Sequence, residues 1–309
     1  MKKLIITFAA ALFCGVMVSA QDMASAVEAF NNGINANEAG NVELAIDSFK
    51  EALSIASQLG DEGAKIVSDC KASIPALQFS IAKKAVNNAE YEKAVSALKE
   101  TVAVANEYEV LNIAEEAKAL IPQVLMQQAN AALNEKNYEL AVAGYKAVLE
   151  DEPANGMAAL RLGSALKATG DKQGAAEAFK TAMENGQEKT AAKQLSTLYQ
   201  QEASAALKAK KYDDAISAAL EANKYVESAT SYKIAGTAAT SGKKLKEATE
   251  YFEKYLELSP NDSGATQICY NLAVCYHQLG NKAKAKEYYQ KAVDDPKFGA
   301  AAKQQLSTL

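Results

Sequence analysis

Tryptophan is absent from this chain of 309 residues, and histidine occurs once, as His277. A single imidazole rules out two-histidine metal sites and paired histidine acid–base chemistry. Arginine is equally scarce. Arg161 is the only guanidinium, and the other basic residues are lysines dispersed among 38 acidic residues. Nucleic-acid binding needs clustered cations for phosphate and favours the guanidinium fork for planar groups, so it is not expected. The chain also lacks C-x-x-C, H-E-x-x-H, G-x-S-x-G and any glycine-rich phosphate loop. The carboxylate pairs Glu115-Glu116, Asp213-Asp214 and Asp294-Asp295 fall at turns or on polar helix faces and read as solvated surface. Neither catalysis, a cofactor nor a bound metal is expected.

Long apolar runs are also lacking, with one exception at the start. There, Lys2 and Lys3 precede an apolar stretch from Leu4 to Val18, and small residues lead up to Gln21. This is the plan of a secretory signal peptide, with cleavage between Ala20 and Gln21. The stretch falls short of the roughly 20 residues of a spanning helix, so no membrane insertion is expected after cleavage. The expected compartment is periplasmic or secreted. Cleavage would leave 31 basic and 38 acidic residues, a formal charge of −7. Cys14 follows Phe13, where a lipid-attachment signal would carry a small residue. Three cysteines then remain, Cys70, Cys269 and Cys275. Six residues on a helix span roughly 9 Å, so the last two lie beyond disulfide reach, and all three are expected as buried free thiols.

Only five prolines interrupt the chain, and alanine and leucine recur at spacings of three and four. Such a pattern predicts helix almost throughout. Seven windows align, near residues 26–59, 75–108, 122–155, 156–189, 196–228, 229–262 and 266–299. Their eighth residues are Gly33, Ala82, Ala129, Gly163, Ala203, Gly236 and Ala273. Their twentieth residues are Ala45, Ala94, Ala141, Ala175, Ala215, Ala248 and Ala285. Small residues in both columns let two antiparallel helices approach closely. Position 24 supplies bulk through Phe49, Leu98, Tyr145, Phe179, Phe252 and Tyr289, with Ala219 the exception.

With turn glycines such as Gly40, Gly170 and Gly280 between the helices, this pattern closely resembles the tetratricopeptide repeat, a helix-turn-helix unit of 34 residues. The resemblance covers about residues 26–299, although tryptophan is missing and the Leu-Gly pair occurs at repeat positions 7 and 8 only as Leu162-Gly163. It implies an all-α fold, an α-solenoid (right-handed superhelix) of about seven such repeats spanning 21–309. The second and third windows start 47 residues apart, and about thirteen extra residues precede Pro75 and Pro122. Lengthened, kinked first helices are expected there. Residues 300–309 are expected to form a capping helix, with Phe298, Ala302, Leu306 and Leu309 as its apolar stripe and Lys303, Gln304, Ser307 and Thr308 facing water.

In the family, first helices line a concave groove that binds peptides, mainly through repeat positions 2, 5, 9, 12 and 13. Carried over, the N-terminal groove would use Phe30, Ile34, Phe79, Lys83, Met126 and Asn130, and the C-terminal groove Lys233, Thr237, Thr240, Tyr270, Val274 and His277. The Lys/Asn/Arg clamp of chaperone-binding members is absent from positions 5 and 9. A non-catalytic protein-interaction scaffold of the bacterial cell envelope is therefore the leading expectation, with a protein or peptide as partner. A carbohydrate- or peptidoglycan-associated module of the periplasm is the alternative, and it would need aromatic platforms in the groove. Self-association is a further expectation to test, because repeat arrays with apolar ends can dimerise.

Overall fold

A computed structural model of the protein describes the backbone of residues 2–309 and the side chains from residue 20 onward. The expected leader, with Cys14, therefore lies almost wholly outside the described side chains. Every regular element among the described residues is helical. The chain divides into two compact units, residues 1–153 and 154–309.

The first unit is three helix pairs. They are α1 (Lys2–Glu38) with α2 (Val42–Ala56), α3 (Ala64–Asn87) with α4 (Tyr91–Glu107), and α5 (Leu111–Asn134) with α6 (Tyr138–Asp151). Each helix packs on its hairpin partner, and α2 on α3 and α4 on α5 join the pairs. The long first helices have the expected length, since α3 and α5 each span 24 residues and contain Pro75 and Pro122. Each is nevertheless one uninterrupted α-helix, so the expected kink does not break either of them. Its core includes an apolar cluster around Phe49, Cys70 and Ile74 and another around Leu98, Ile121 and Val124.

The second unit has four pairs and a last helix. They are α7 (Gly156–Thr169) with α8 (Lys172–Ala182), α9 (Glu188–Lys208) with α10 (Tyr212–Tyr225), α11 (Ala229–Ser241) with α12 (Leu245–Leu258), α13 (Ala265–Gln278) with α14 (Lys282–Ala292), and then α15 (Gly299–Thr308). On α15, Ala302 is fully buried, while Leu306 and Leu309 pack against the cluster around Tyr289 and Lys303, Gln304, Ser307 and Thr308 are exposed. Asp295 holds the turn before it, accepting from the backbone N–H of Lys297 and Phe298, both at 2.9 Å. Its other oxygen accepts from Thr266 on α13 at 2.5 Å, which pins the turn to the preceding repeat.

The small-residue columns explain why the hairpins close. Every position-20 alanine from Ala45 to Ala285 has 0% exposure, and all seven position-8 residues are buried. Backbone-to-backbone approach is not what the position-8 glycines serve. Each instead receives the aromatic ring of position 24: a Cβ on Gly33, Gly163 or Gly236 would lie 2.6–2.8 Å from the ring of Phe49, Phe179 or Phe252. Where position 8 is alanine, position 24 is leucine, tyrosine or alanine instead of phenylalanine. The turn is equally regular. The fifteenth residue of every window has positive φ: Gly40, Ala89, Lys136, Gly170, Lys210, Lys243 and Gly280. The next residue donates its N–H back to the carbonyl five positions earlier, as from Asp171 to Leu166 at 3.0 Å, which closes the first helix. The side chains of Asn137, Asp171 and Asn281 then cap the second helix.

Candidate functional site

The hairpin geometry aligns the residues at positions 2, 5 and 9 of each first helix along one face, because they recur at helical spacing. In the first unit this face carries apolar groups on α1. Ile34 is 38% exposed and Phe30 is half-buried, its ring 5.3 Å from that of Phe49. Val27, one turn before Phe30, is 42% exposed and extends the stripe. Position 2 was the signal for it. Phe79 does not join this stripe. It is 6% exposed, packed in the cluster with Leu98, and the ammonium of exposed Lys83 sits 3.8 Å from its ring centroid. Phe79 is thus a core residue and Lys83 its outward cover. Met126 is half-buried, and Asn130 accepts a hydrogen bond from the Tyr145 hydroxyl at 2.8 Å.

In the second unit the same face is polar on α9 and α11, whereas on α7 it carries Met157, 41% exposed, and Leu160 ahead of Ser164. Thr237 donates its hydroxyl to the Lys233 carbonyl and Thr240 to that of Gly236, both at 2.8 Å. On α9, Thr197 donates to Lys193 at 2.8 Å, and on α7 Ser164 donates to Leu160 at 3.1 Å. The hydroxyl hydrogens of Thr197, Ser164 and Thr237 are engaged within their own helices, so those oxygens are left as acceptors. Gln200 of α9 donates to Ser231 of α11 at 3.0 Å and links neighbouring first helices. Between these two helices runs an open trough of about 410 Å³, bordered by Thr197, Gln200, Ser204, Lys208, Thr230 and Ile234. None of these six was singled out from the sequence, although Thr197, Gln200, Ser204 and Thr230 occupy positions 2, 5 and 9.

Tyr270, Val274 and His277 lie together at the end of the array and are drawn into its packing. The Tyr270 ring stacks on Phe298 at 5.0 Å and meets Tyr289 edge-on at 5.7 Å. His277 also approaches Tyr289 edge-on, at 6.3 Å, and Val274 packs against the core cluster. Burial pushes the Tyr289 hydroxyl up to about 12, so it is neutral at physiological pH. Tyr270 therefore joins the seventh repeat to Phe298 and α15, while Val274 and His277 are packed within that repeat. Thr240 contacts the same helix α13, its Oγ1 lying 3.6 Å from Cys275 Sγ.

The strongest polar cluster lies away from that face, on α12, α13 and α14. Glu253 accepts from the Tyr276 hydroxyl at 2.6 Å and from the Lys284 ammonium at 3.0 Å. Burial works to raise the Glu253 pKa, but these bonds outweigh it and hold it below the usual carboxylate value. Tyr276 and Tyr288 stack at 5.9 Å beside it. The cluster bolts two repeats together. No group of three or more His, Cys, Asp or Glu side chains among the described residues is placed to hold a metal ion.

Models of the tetratricopeptide repeat match residues 126–189, 201–263 and 266–294, together half of the chain. The chain belongs to the tetratricopeptide-repeat family. Comparison with curated proteins gives no match. Among solved structures it is similar to MamA, at 21% identity over 59% of this chain and 96% of that one, with a TM-score of 0.38. It is likewise similar to YrrB, described as a tetratricopeptide protein with an unusual peptide-binding site (23% identity, 59% and 91% coverage, TM-score 0.36), and to MamA of Desulfovibrio magneticus RS-1 (17%, 60% and 95%, 0.35). In this tetratricopeptide-repeat protein the first helices α1, α3 and α5 contact in sequence, as do α9 and α11, and the outward face is apolar on α1 and polar on α9 and α11.

Proposed function

We propose that this tetratricopeptide-repeat protein is a non-catalytic interaction scaffold of the bacterial cell envelope. It is exported by the leader at residues 1–20 and binds a protein or peptide along its first-helix face. The observation that carries the reading is the polar lining of the α9–α11 trough. An extended polypeptide presents backbone N–H groups at regular intervals, and these find their complement in the side-chain oxygens of Thr197, Ser204 and Thr230. In the first unit the exposed Val27–Ile34 stripe of α1 offers a separate apolar contact. The carbohydrate alternative would need a free aromatic platform on this face, and its one candidate, Tyr270, is stacked on Phe298.

Site-specific photocrosslinking in intact cells tests the face. A photoreactive residue at Ile34 or Ser204 is expected to capture a partner, whereas one at Lys146 on α6 is not. Equal adduct yields from both faces would remove the first-helix assignment. Amino-terminal sequencing of the exported protein tests the leader, with Gln21 expected as the first residue.

A further inference from the structure

Away from the first-helix face, a cavity of about 200 Å³ lies among α2, α3 and α4. Its apolar wall includes Ile46 and Ile81, and its charged lining is Glu43, Asp47 and Glu100 against the single cation Lys50. Glu43, Asp47 and Lys50 form no ion pair among the described residues. The same lining includes Gln78, which is 7% exposed. Its Nε2 donates to Glu100 Oε1 at 3.1 Å. A carboxylate only accepts, so this bond fixes which end of the amide faces Glu100. The other end, Oε1, is buried and has no hydrogen-bond partner among the described residues. A buried carbonyl without a donor is costly and rare, and its retention in a cavity wall rich in carboxylates is the mark of a missing donor.

We infer that this cavity receives the side-chain ammonium of a lysine from a partner protein. An ammonium carries three N–H donors and no acceptor, which suits one amide oxygen and an excess of carboxylates. Its four-carbon stem suits the wall of Ile46 and Ile81, since lysine buries its stem while its charge is satisfied elsewhere. A divalent metal is the poorer occupant, because no three carboxylates here converge closely enough to ligate one. The site lies on the second helices α2 and α4 with Gln78 and Ile81 of α3, so it adds a contact that the first-helix reading neither requires nor supplies.

The test uses the full exported chain, isotope-labelled at glutamine side chains and titrated with the peptide acetyl-Gly-Lys-Gly-amide. The Gln78 side-chain amide signal is expected to move saturably, and the ε-acetylated peptide is expected to leave it in place. Gln78→Met and Asp47→Asn should each weaken binding at least tenfold. Gln78→Met should also hold or raise the urea midpoint, because it removes the unpartnered acceptor; should it fail to fold, Asp47→Asn at an exposed position carries the test. Equal shifts from the acetylated peptide, unchanged affinity in both variants, or equally tight binding of an arginine peptide would overturn the proposal. Butylammonium binding as tightly as the peptide would overturn the partner-protein source.

Discussion

The ring of Phe179 lies directly on the α-carbon of Gly163, so close that a Cβ there would come within 2.6 Å of ring carbons. The pairs Gly33–Phe49 and Gly236–Phe252 repeat the arrangement, and the alanine repeats accommodate leucine or tyrosine in its place. One compensating rule therefore governs how tightly each hairpin closes.

Gly163→Ala should destabilise the protein despite the better helix propensity of alanine. Overpacking costs roughly 1–3 kcal/mol, and the propensity gain offsets about 1 kcal/mol of it. The second change Phe179→Leu, which recreates the Ala82–Leu98 pairing, should cost less in the alanine background than in the wild type. Urea denaturation of the four proteins as a double-mutant cycle reads the coupling, and strict additivity would contradict the ring-on-glycine account.

Four repeats place a side chain where the turn needs a left-handed residue: Ala89, Lys136, Lys210 and Lys243, with φ of 58–61°. Glycine at any of these positions should raise stability by up to about 1 kcal/mol, since the left-handed strain of roughly 1–2 kcal/mol exceeds the added chain entropy. Gly170→Ala, at φ of 90°, should do the reverse. Thermal unfolding midpoints of the single variants decide the matter.

Removal of residues 298–309 should loosen the seventh repeat first, because it uncovers Ala302's pocket and removes Phe298, the stacked neighbour of Tyr270. Amide exchange in α13 and α14 should accelerate, while α7 and α8 stay protected. Cys70, Cys269 and Cys275 are all buried and free, and burial raises each thiol, Cys70 to about 11 with the charge of Asp69 contributing. In a chain prepared to begin at Gln21 none should react quickly with a thiol reagent. After the truncation, Cys269 and Cys275 should label faster than Cys70.

Asp295 links pH to the same joint. The Thr266 hydroxyl, then the N–H groups of Phe298 and Lys297, hold its carboxyl below the ordinary value. A carboxylate depressed in this way adds stability that is complete above its unfolded pKa of about 3.9 and is lost as pH falls through the lower folded value. The stability gap between wild type and Asp295→Asn should therefore be present at neutral pH and close as the pH is lowered below about 4. A gap independent of pH would mean that the asparagine variant fails for packing reasons instead.

The helical fold and the order of its hairpins were legible because repeat packing is written in residue size at fixed spacing. Gly or Ala at positions 8 and 20 and bulk at position 24 report directly on what each helix meets. The glycine–phenylalanine correlation between positions 8 and 24 was also present in the sequence, but its meaning needed the contact between Gly163 and Phe179. Surface assignments were less legible, since repeat position tells which way a side chain leaves its helix and not what lies over it. Phe79 points along a first-helix face yet is buried beneath Lys83, and Tyr270 is covered by Phe298, 28 residues further along the chain.

The sequence alone thus determined the periodic part of this protein: helix pairs, buried small-residue columns and an apolar stripe on the final helix. These depend on local spacing, which chain order preserves. Tertiary structure alone decided which outward positions stay open, why the small columns pair with rings, and that Gln78 is buried beside three carboxylates with one oxygen unpartnered. Those properties arise from side chains of different helices meeting in space, a relation that linear order does not record.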